Sequence, residues 1–177
     1  MHLSDQDWNA ACAGAHTKSI NVRLKLIQYK WLMRTYVTPV DLNRYNKNIP
    51  DICTKCLEFE GTLFHCIWQG RKIKTFWEEL REILKIISKQ ILLDPKLFLL
   101  GLFPEKHNYS KNERAFIDLG LLYAKTCIAM FWKKVNKPNT TQWIRRMLSC
   151  LPLERITYIL KAKQQQFEYL ETFHELC

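Results

Sequence analysis

From residue 71 to 89 the chain reads RKIKTFWEELREILKIISK, and its apolar residues Ile73, Phe76, Trp77, Leu80, Ile83, Leu84 and Ile87 recur every three or four positions. Lys74, Glu78, Glu82, Lys85 and Lys89 fall between them. A repeat close to one helical turn places the apolar set on one face of an α-helix, and it does not fit a strand, whose faces alternate with every residue. So broad a stripe must be covered by other elements. The segment predicts a core helix inside a helical domain.

The same period recurs on both sides of it. Leu24, Ile27, Trp31 and Leu32 share a face away from Arg23, Lys30 and Arg34, which predicts a basic amphipathic helix over 22–34. Thr38 followed by Pro39 reads as a cap and first-turn residue, opening a short helix through about Tyr45, and NKNIPDIC reads as loop. Asp94-Pro95 can start a short helix that Gly101 ends. Ser110 and Glu113 have capping-box spacing ahead of AFIDLGLLYAKTCIAMFW, whose apolar residues nearly encircle a helix and predict the most buried element, with Cys127 as a core thiol. Thr140 or Thr141 is expected to cap QWIRRMLSCL, and Pro152 to open a separate last helix carrying Ile156, Ile159, Leu160, Phe167 and Leu170. Neither an internal repeat nor a strand pattern is visible. The fold class is all-α: a bundle of about five to seven helices. Residues 1–177 form a single domain in which 53–70 is a small zinc-knuckle-like Cys/His loop.

The formal net charge is +10, and its placement matters more than its size. Between Lys18 and Lys55 lie Lys18, Arg23, Lys25, Lys30, Arg34, Arg44, Lys47 and Lys55, opposed only by Asp41 and Asp51. A localised positive field attracts polyanions by counterion release. Tyr29, Trp31, Tyr36 and Tyr45 lie among these bases, where their rings either stack on unpaired bases or fill the core. The candidate nucleic-acid contacts are therefore Arg23, Lys25, Lys30, Arg34, Arg44 and Lys47, with Tyr36 and Tyr45 for stacking. No apolar run reaches the length of a bilayer span and the start lacks a signal-peptide pattern, so no membrane partner is expected, and the protein is expected to be intracellular, in nucleus or cytoplasm. Seven cysteines without framework spacing leave metal ligation or burial as their uses in that reducing setting.

Only CTKCLEFEGTLFHCIWQG, residues 53–70, looks like a site. Cys-x2-Cys can turn two sulfurs toward one point, so Cys53 and Cys56 qualify as zinc ligands, and His65 begins what reads as a helical turn after Gly61 lets the chain reverse. Cys66 is the nearest further donor. In a regular helix it points about 100° away from His65, so joint ligation requires an irregular backbone. Gly70 offers no ligand. On spacing alone the loop is either a zinc site or an ordinary loop with buried thiols.

The ordered strings KLIQYKWLMRTYVTPVDLNRYN, CTKC, GTLFHCIW, Phe76-Trp77, LDPKLFLLGLFP, AKTCIAMFWK and TQWI resemble the C-terminal region of the polyprotein of long interspersed elements, the non-LTR retrotransposons. The likeness covers nearly the whole chain and corresponds to the part that follows the reverse transcriptase domain. It implies a helical segment with a Cys-x2-Cys, His, Cys motif that helps the parent enzyme hold RNA or its target during reverse transcription. Cys53, Cys56 and His65 match that motif. Gly70 departs from it, standing where the closing Cys belongs.

Catalysis is not expected. The family's polymerase holds divalent cations with paired aspartates, and this chain contains no Asp-Asp. Five scattered glycines assemble no phosphate-cradling loop, so no small-molecule substrate is expected. His16, His107 and His174 are isolated and read as surface or capping residues. The expected function is a non-catalytic RNA or single-stranded nucleic-acid binding module with zinc as its one cofactor. The alternative is a helical interaction fragment that docks onto the rest of such a polyprotein.

Overall fold

The computed structural model describes residues 2–160; Phe167, Leu170, His174 and Cys177 lie outside them. Six α-helices, α1 (Asp5–Thr17), α2 (Val22–Leu32), α3 (Pro39–Tyr45), α4 (Arg71–Leu84), α5 (Lys111–Met130) and α6 (Thr140–Leu160), are accompanied by π-helical turns at His65–Gln69 and Lys96–Leu100. Among the described residues, the β-type pairing is an isolated bridge between Ile52 and Glu60. No helix among them is long and apolar enough to cross a membrane. The architecture is all-α.

The apolar stripe of α4 does what its period demands. Ile73, Phe76, Trp77, Leu80 and Leu84 are buried, and Ile83 and Ile87 pack against the same core. Each fully buried side chain of this size contributes about 1.5–3 kcal/mol, whereas a surface pair such as Lys85 with Glu82 contributes about 0–1 kcal/mol. The stripe, not the charges, therefore holds α4. Trp77 also joins α4 to both π-helical turns: its Nε1 donates to the Ile67 carbonyl at 2.8 Å, and its ring meets Phe98 edge-on at 5.6 Å.

Helix α5 starts at a capping box of Ser110 and Glu113 and is buried on most sides, with α2 and α6 packed on it. Where α6 crosses, Trp143 Nε1 donates to the Gly120 carbonyl at 2.9 Å. A Cβ at Gly120 would stand 3.3 Å from the Trp143 ring, so the small residue sets how closely the two helices approach.

Helix α6 departs from the sequence expectation in two ways. Its cap is Asn139, not Thr140 or Thr141: Asn139 Oδ1 accepts from the Gln142 N–H at 2.8 Å, and Gln142 Oε1 accepts from the Asn139 N–H at 3.2 Å. This reciprocal pair is a capping box built from amides. Nor does Pro152 open a new helix; α6 runs through it. Proline forfeits one backbone donor, but both flanks are anchored. Leu151 and Glu154 are buried, and the Glu154 carboxylate accepts from Asn21 Nδ2 at 2.6 Å and from the Tyr123 hydroxyl at 3.1 Å.

Helix α1 has no broad stripe, burying only Ala11, Gly14 and Ala15, and is marked instead by a Ser4–Asp7 capping box. Helix α2 ends at Leu32, so Arg34 lies beyond it in a left-handed conformation, φ 51°. Thr38 caps α3 with Pro39 in the first turn, as expected, and Asp41 completes a capping box with Thr38.

Two lysines are consumed by the core. Lys18 Nζ donates to the Gly101 carbonyl and pairs with Asp118 at 2.9 Å, tying the end of α1 to α5. Lys125 of α5, fully enclosed, donates to Gln28 Oε1 at 2.6 Å, and Gln28 Nε2 donates to the Leu99 carbonyl at 3.3 Å. Burial and the nearby Lys18 charge pull the Lys125 ammonium down to about 7.

Candidate metal centre and basic surface

The loop between α3 and α4 is closed at its base before it presents any ligand. Gly61 N–H donates to the Asp51 carbonyl at 2.7 Å and Cys53 N–H to the Phe59 carbonyl at 2.8 Å. Inside that frame the Leu57 N–H returns to the Cys53 carbonyl at 2.9 Å. Leu57 completes the turn at φ 59°, a left-handed conformation that costs an L-residue about 1–2 kcal/mol. The result is a tight curl with Cys53 and Cys56 inside it. Gly61 is small because α3 leans on the loop there: a Cβ would stand 2.5 Å from the Pro39 ring.

His65 comes from the opposite wall. Its N–H donates to Thr62 Oγ1 at 3.2 Å, and its carbonyl accepts from the Gly70 N–H at 2.8 Å, closing the π-helical turn. Cys53, Cys56 and His65 thereby bring their ligand atoms within 4.8 Å of one another and form a group that could hold a metal ion. Cys56 Sγ is 3.3 Å from His65 Nε2. Zinc bonds of about 2.3 Å to sulfur and about 2.0–2.1 Å to nitrogen at a tetrahedral angle would separate those atoms by about 3.5 Å, so the donor set fits with small adjustment. Burial pushes the His65 imidazole toward its neutral form, which has a free lone pair. Burial opposes ionisation of Cys56, but backbone N–H groups of Glu58 and Phe59 bring its thiol below the ordinary value.

Cys66 stands outside the group whose ligand atoms all lie within 4.8 Å of one another, although its thiol meets the Cys53 sulfur. The backbone is irregular at 65–69, as joint ligation requires, yet the π-helical turn carries Cys66 into the interior. Burial, with the neighbouring Cys53 sulfur, raises its thiol to about 12. The cysteines among the described residues are free thiols.

The basic segment divides. Arg23, Lys30, Arg34, Arg44 and Lys47 are exposed and Lys25 is half-buried. Lys18 and Lys55, counted with them by sequence, face inward. Lys55 Nζ donates to the carbonyls of Phe131 at 2.8 Å, Trp132 at 3.3 Å and Lys134 at 2.5 Å, docking the loop onto the C-terminal end of α5. Nothing in the sequence marks that role. The aromatics divide as well: Trp31 is buried, Tyr45 is 84% exposed and Tyr29 46% exposed. Tyr36 sits between Trp31 and Trp132, with ring centroids at 6.5 and 5.0 Å.

Trp132 Nε1 also donates to the Val37 carbonyl at 2.9 Å, so the end of α5 holds the α2–α3 connection as well as the loop. The basic segment and the metal-capable loop are thus fastened to one scaffold. No family model matches the chain.

Proposed function

We propose that the protein is a non-catalytic RNA-binding module, akin to the C-terminal segment of a non-LTR retrotransposon polyprotein, in which zinc held by Cys53, Cys56 and His65 stiffens the loop behind a basic surface. The observation that carries this reading is the exposed set of Arg23 and Lys30 on α2, Arg44 on α3, and Arg34 and Lys47 just beyond those helices. Among the ion pairs of the described residues, only Arg44 of this set has an acidic partner, Asp41 at 3.5 Å. Charges left in solvent this way release counterions when they meet phosphates. Tyr45 and Tyr29 supply exposed aromatic faces beside them, which suits single-stranded RNA.

The test is RNA affinity as a function of salt. A logarithmic slope of about −0.7 per phosphate contact is expected, shallower by about 1.4 in a protein carrying Arg23→Ala and Arg34→Ala. A flat dependence would remove the proposal.

One observation favours the alternative of a docking fragment of such a polyprotein. Leu153, Ile156 and Leu160 are exposed at helical spacing on α6. Light scattering separates the two readings: a monomer that binds RNA supports the first, and an oligomer that does not supports the second.

A further inference from the structure

Helix α1 carries a large aromatic side chain that its packing does not consume: Trp8 is 39% exposed. It lines a cavity of about 350 Å³ whose walls come from α1, the end of α2 and the two π-helical turns, a volume inside the range of about 300–1,000 Å³ usual for small-ligand sites. Buried Trp31, Ile67 and Leu100 belong to the lining, and Trp8 and Arg34, both exposed, join it from the solvent side. No acidic side chain lines the cavity, and Arg34 is its only charge.

That charge is uncompensated. Among the ion pairs of the described residues none involves Arg34. Its backbone is left-handed at φ 51°, which costs an L-residue about 1–2 kcal/mol, and glycine or asparagine ordinarily ends a helix in this way. Arginine stands there against that cost, so the position supplies a guanidinium and not a turn. Thr62 adds a polar group to the same wall. Its Oγ1 accepts from the His65 N–H at 3.2 Å, which leaves the hydroxyl proton for an acceptor on a ligand.

We infer that this cavity takes one unpaired nucleobase of a bound RNA, its ring against the Trp8 indole and its phosphate on Arg34. A flat ligand with an anionic end matches an aromatic wall beside a lone cation, and every base has a face that stacks on an aromatic ring. An aliphatic carboxylate would answer to the charge and the apolar lining alone. The base is favoured because Arg34 continues the exposed cations Arg23 and Lys30 of α2, which follow a phosphate chain and not a single carboxylate. This rests on the RNA-binding reading proposed above and names the position that holds a base.

Two labelled oligouridylates test it on the full-length protein. One carries a central 5-iodouridine, and irradiation of its complex with the unaltered protein should give a crosslink that mass spectrometry maps to Trp8. The other carries a central 2-aminopurine, whose fluorescence should be quenched on binding and should not recover when decanoate, an aliphatic carboxylate, is added. Trp8→Ala should abolish the quench and weaken binding about 5- to 150-fold, the range for one base on one aromatic ring, whereas Trp8→Phe should keep the quench. Arg34→Gly, which relieves the backbone, should melt at a higher temperature than the parent and yet bind more weakly. Crosslinks confined to Tyr29 or Tyr45, an unaltered quench in Trp8→Ala, displacement by decanoate, or undiminished binding by Arg34→Gly overturns the inference and leaves the basic surface standing. No RNA binding by the unaltered protein overturns both.

Discussion

Lys55 Nζ lies 2.8 Å from the carbonyl oxygen of Phe131, and this contact fastens the metal-capable loop to the end of the central helix α5. A cation at a helix C-terminus satisfies carbonyls that have no intrahelical donor and complements the helix dipole. Burial lowers the ammonium from its ordinary value, so the lysine is held there against a desolvation cost.

Replacing Lys55 should accordingly damage the fold and not the phosphate contacts. Lys55→Met is expected to destabilise the protein by about 2–3 kcal/mol, the range for a charge-assisted hydrogen bond whose carbonyl partners are left unpaired. Urea denaturation measures this. The salt slope of RNA binding should stay as in the parent, because no exposed cation has been removed.

The two tyrosines assigned to stacking should behave oppositely. Tyr45→Ala is expected to weaken RNA binding by about 1–3 kcal/mol with stability unchanged, since Tyr45 is 84% exposed. Tyr36→Ala removes the ring between Trp31 and Trp132 and should instead cost about 2 kcal/mol of stability. A fluorescence titration with RNA, run beside thermal unfolding of each variant, separates them.

Metal uptake should divide the cysteines. Cys53→Ser is expected to lose zinc binding, measured by competition with a chromophoric chelator, because it removes one of the convergent donors. Cys66→Ser should keep the stoichiometry and lose only packing stability. If Cys66→Ser abolished uptake, the convergent set would have to be redrawn.

Lys125 makes stability depend on pH in a direction that can be worked out. Its folded value is about 7 against an ordinary 10.5, so between those limits the unfolded chain binds more protons and stability rises with pH. Burial raises Cys127 to about 11 and Cys66 to about 12, which reverses the slope once unfolded thiols ionise near pH 9. Between pH 7 and 8.5 the unfolding free energy should rise by about 1–2 kcal/mol. In Lys125→Met, with no ammonium beside Lys18, Asp118 and Gln28, that rise should vanish.

Much of the fold was legible because it depends on local periodicity and caps. The stripe from Ile73 to Ile87 announced α4, and Ser110 with Glu113 and Thr38 with Pro39 announced α5 and α3. Helix α1 was not, because a helix that buries only alanine and glycine carries no period to read. At Asn139 the local rule pointed one residue or two too far along, since an Asn–Gln pair satisfies the same donors as Thr.

In the candidate site the donors Cys53, Cys56 and His65 were readable from type and spacing, and the place of Cys66, against Cys53 but outside that group, was not. By itself the sequence determined a helical domain, an excess of positive charge before residue 55 and a loop with the chemistry to hold zinc, because residue type and local spacing are enough for each. Tertiary structure alone decided which bases remain in solvent and that Lys18 and Lys55 serve the fold. Those outcomes depend on contacts between segments distant along the chain, where packing and desolvation choose the partners.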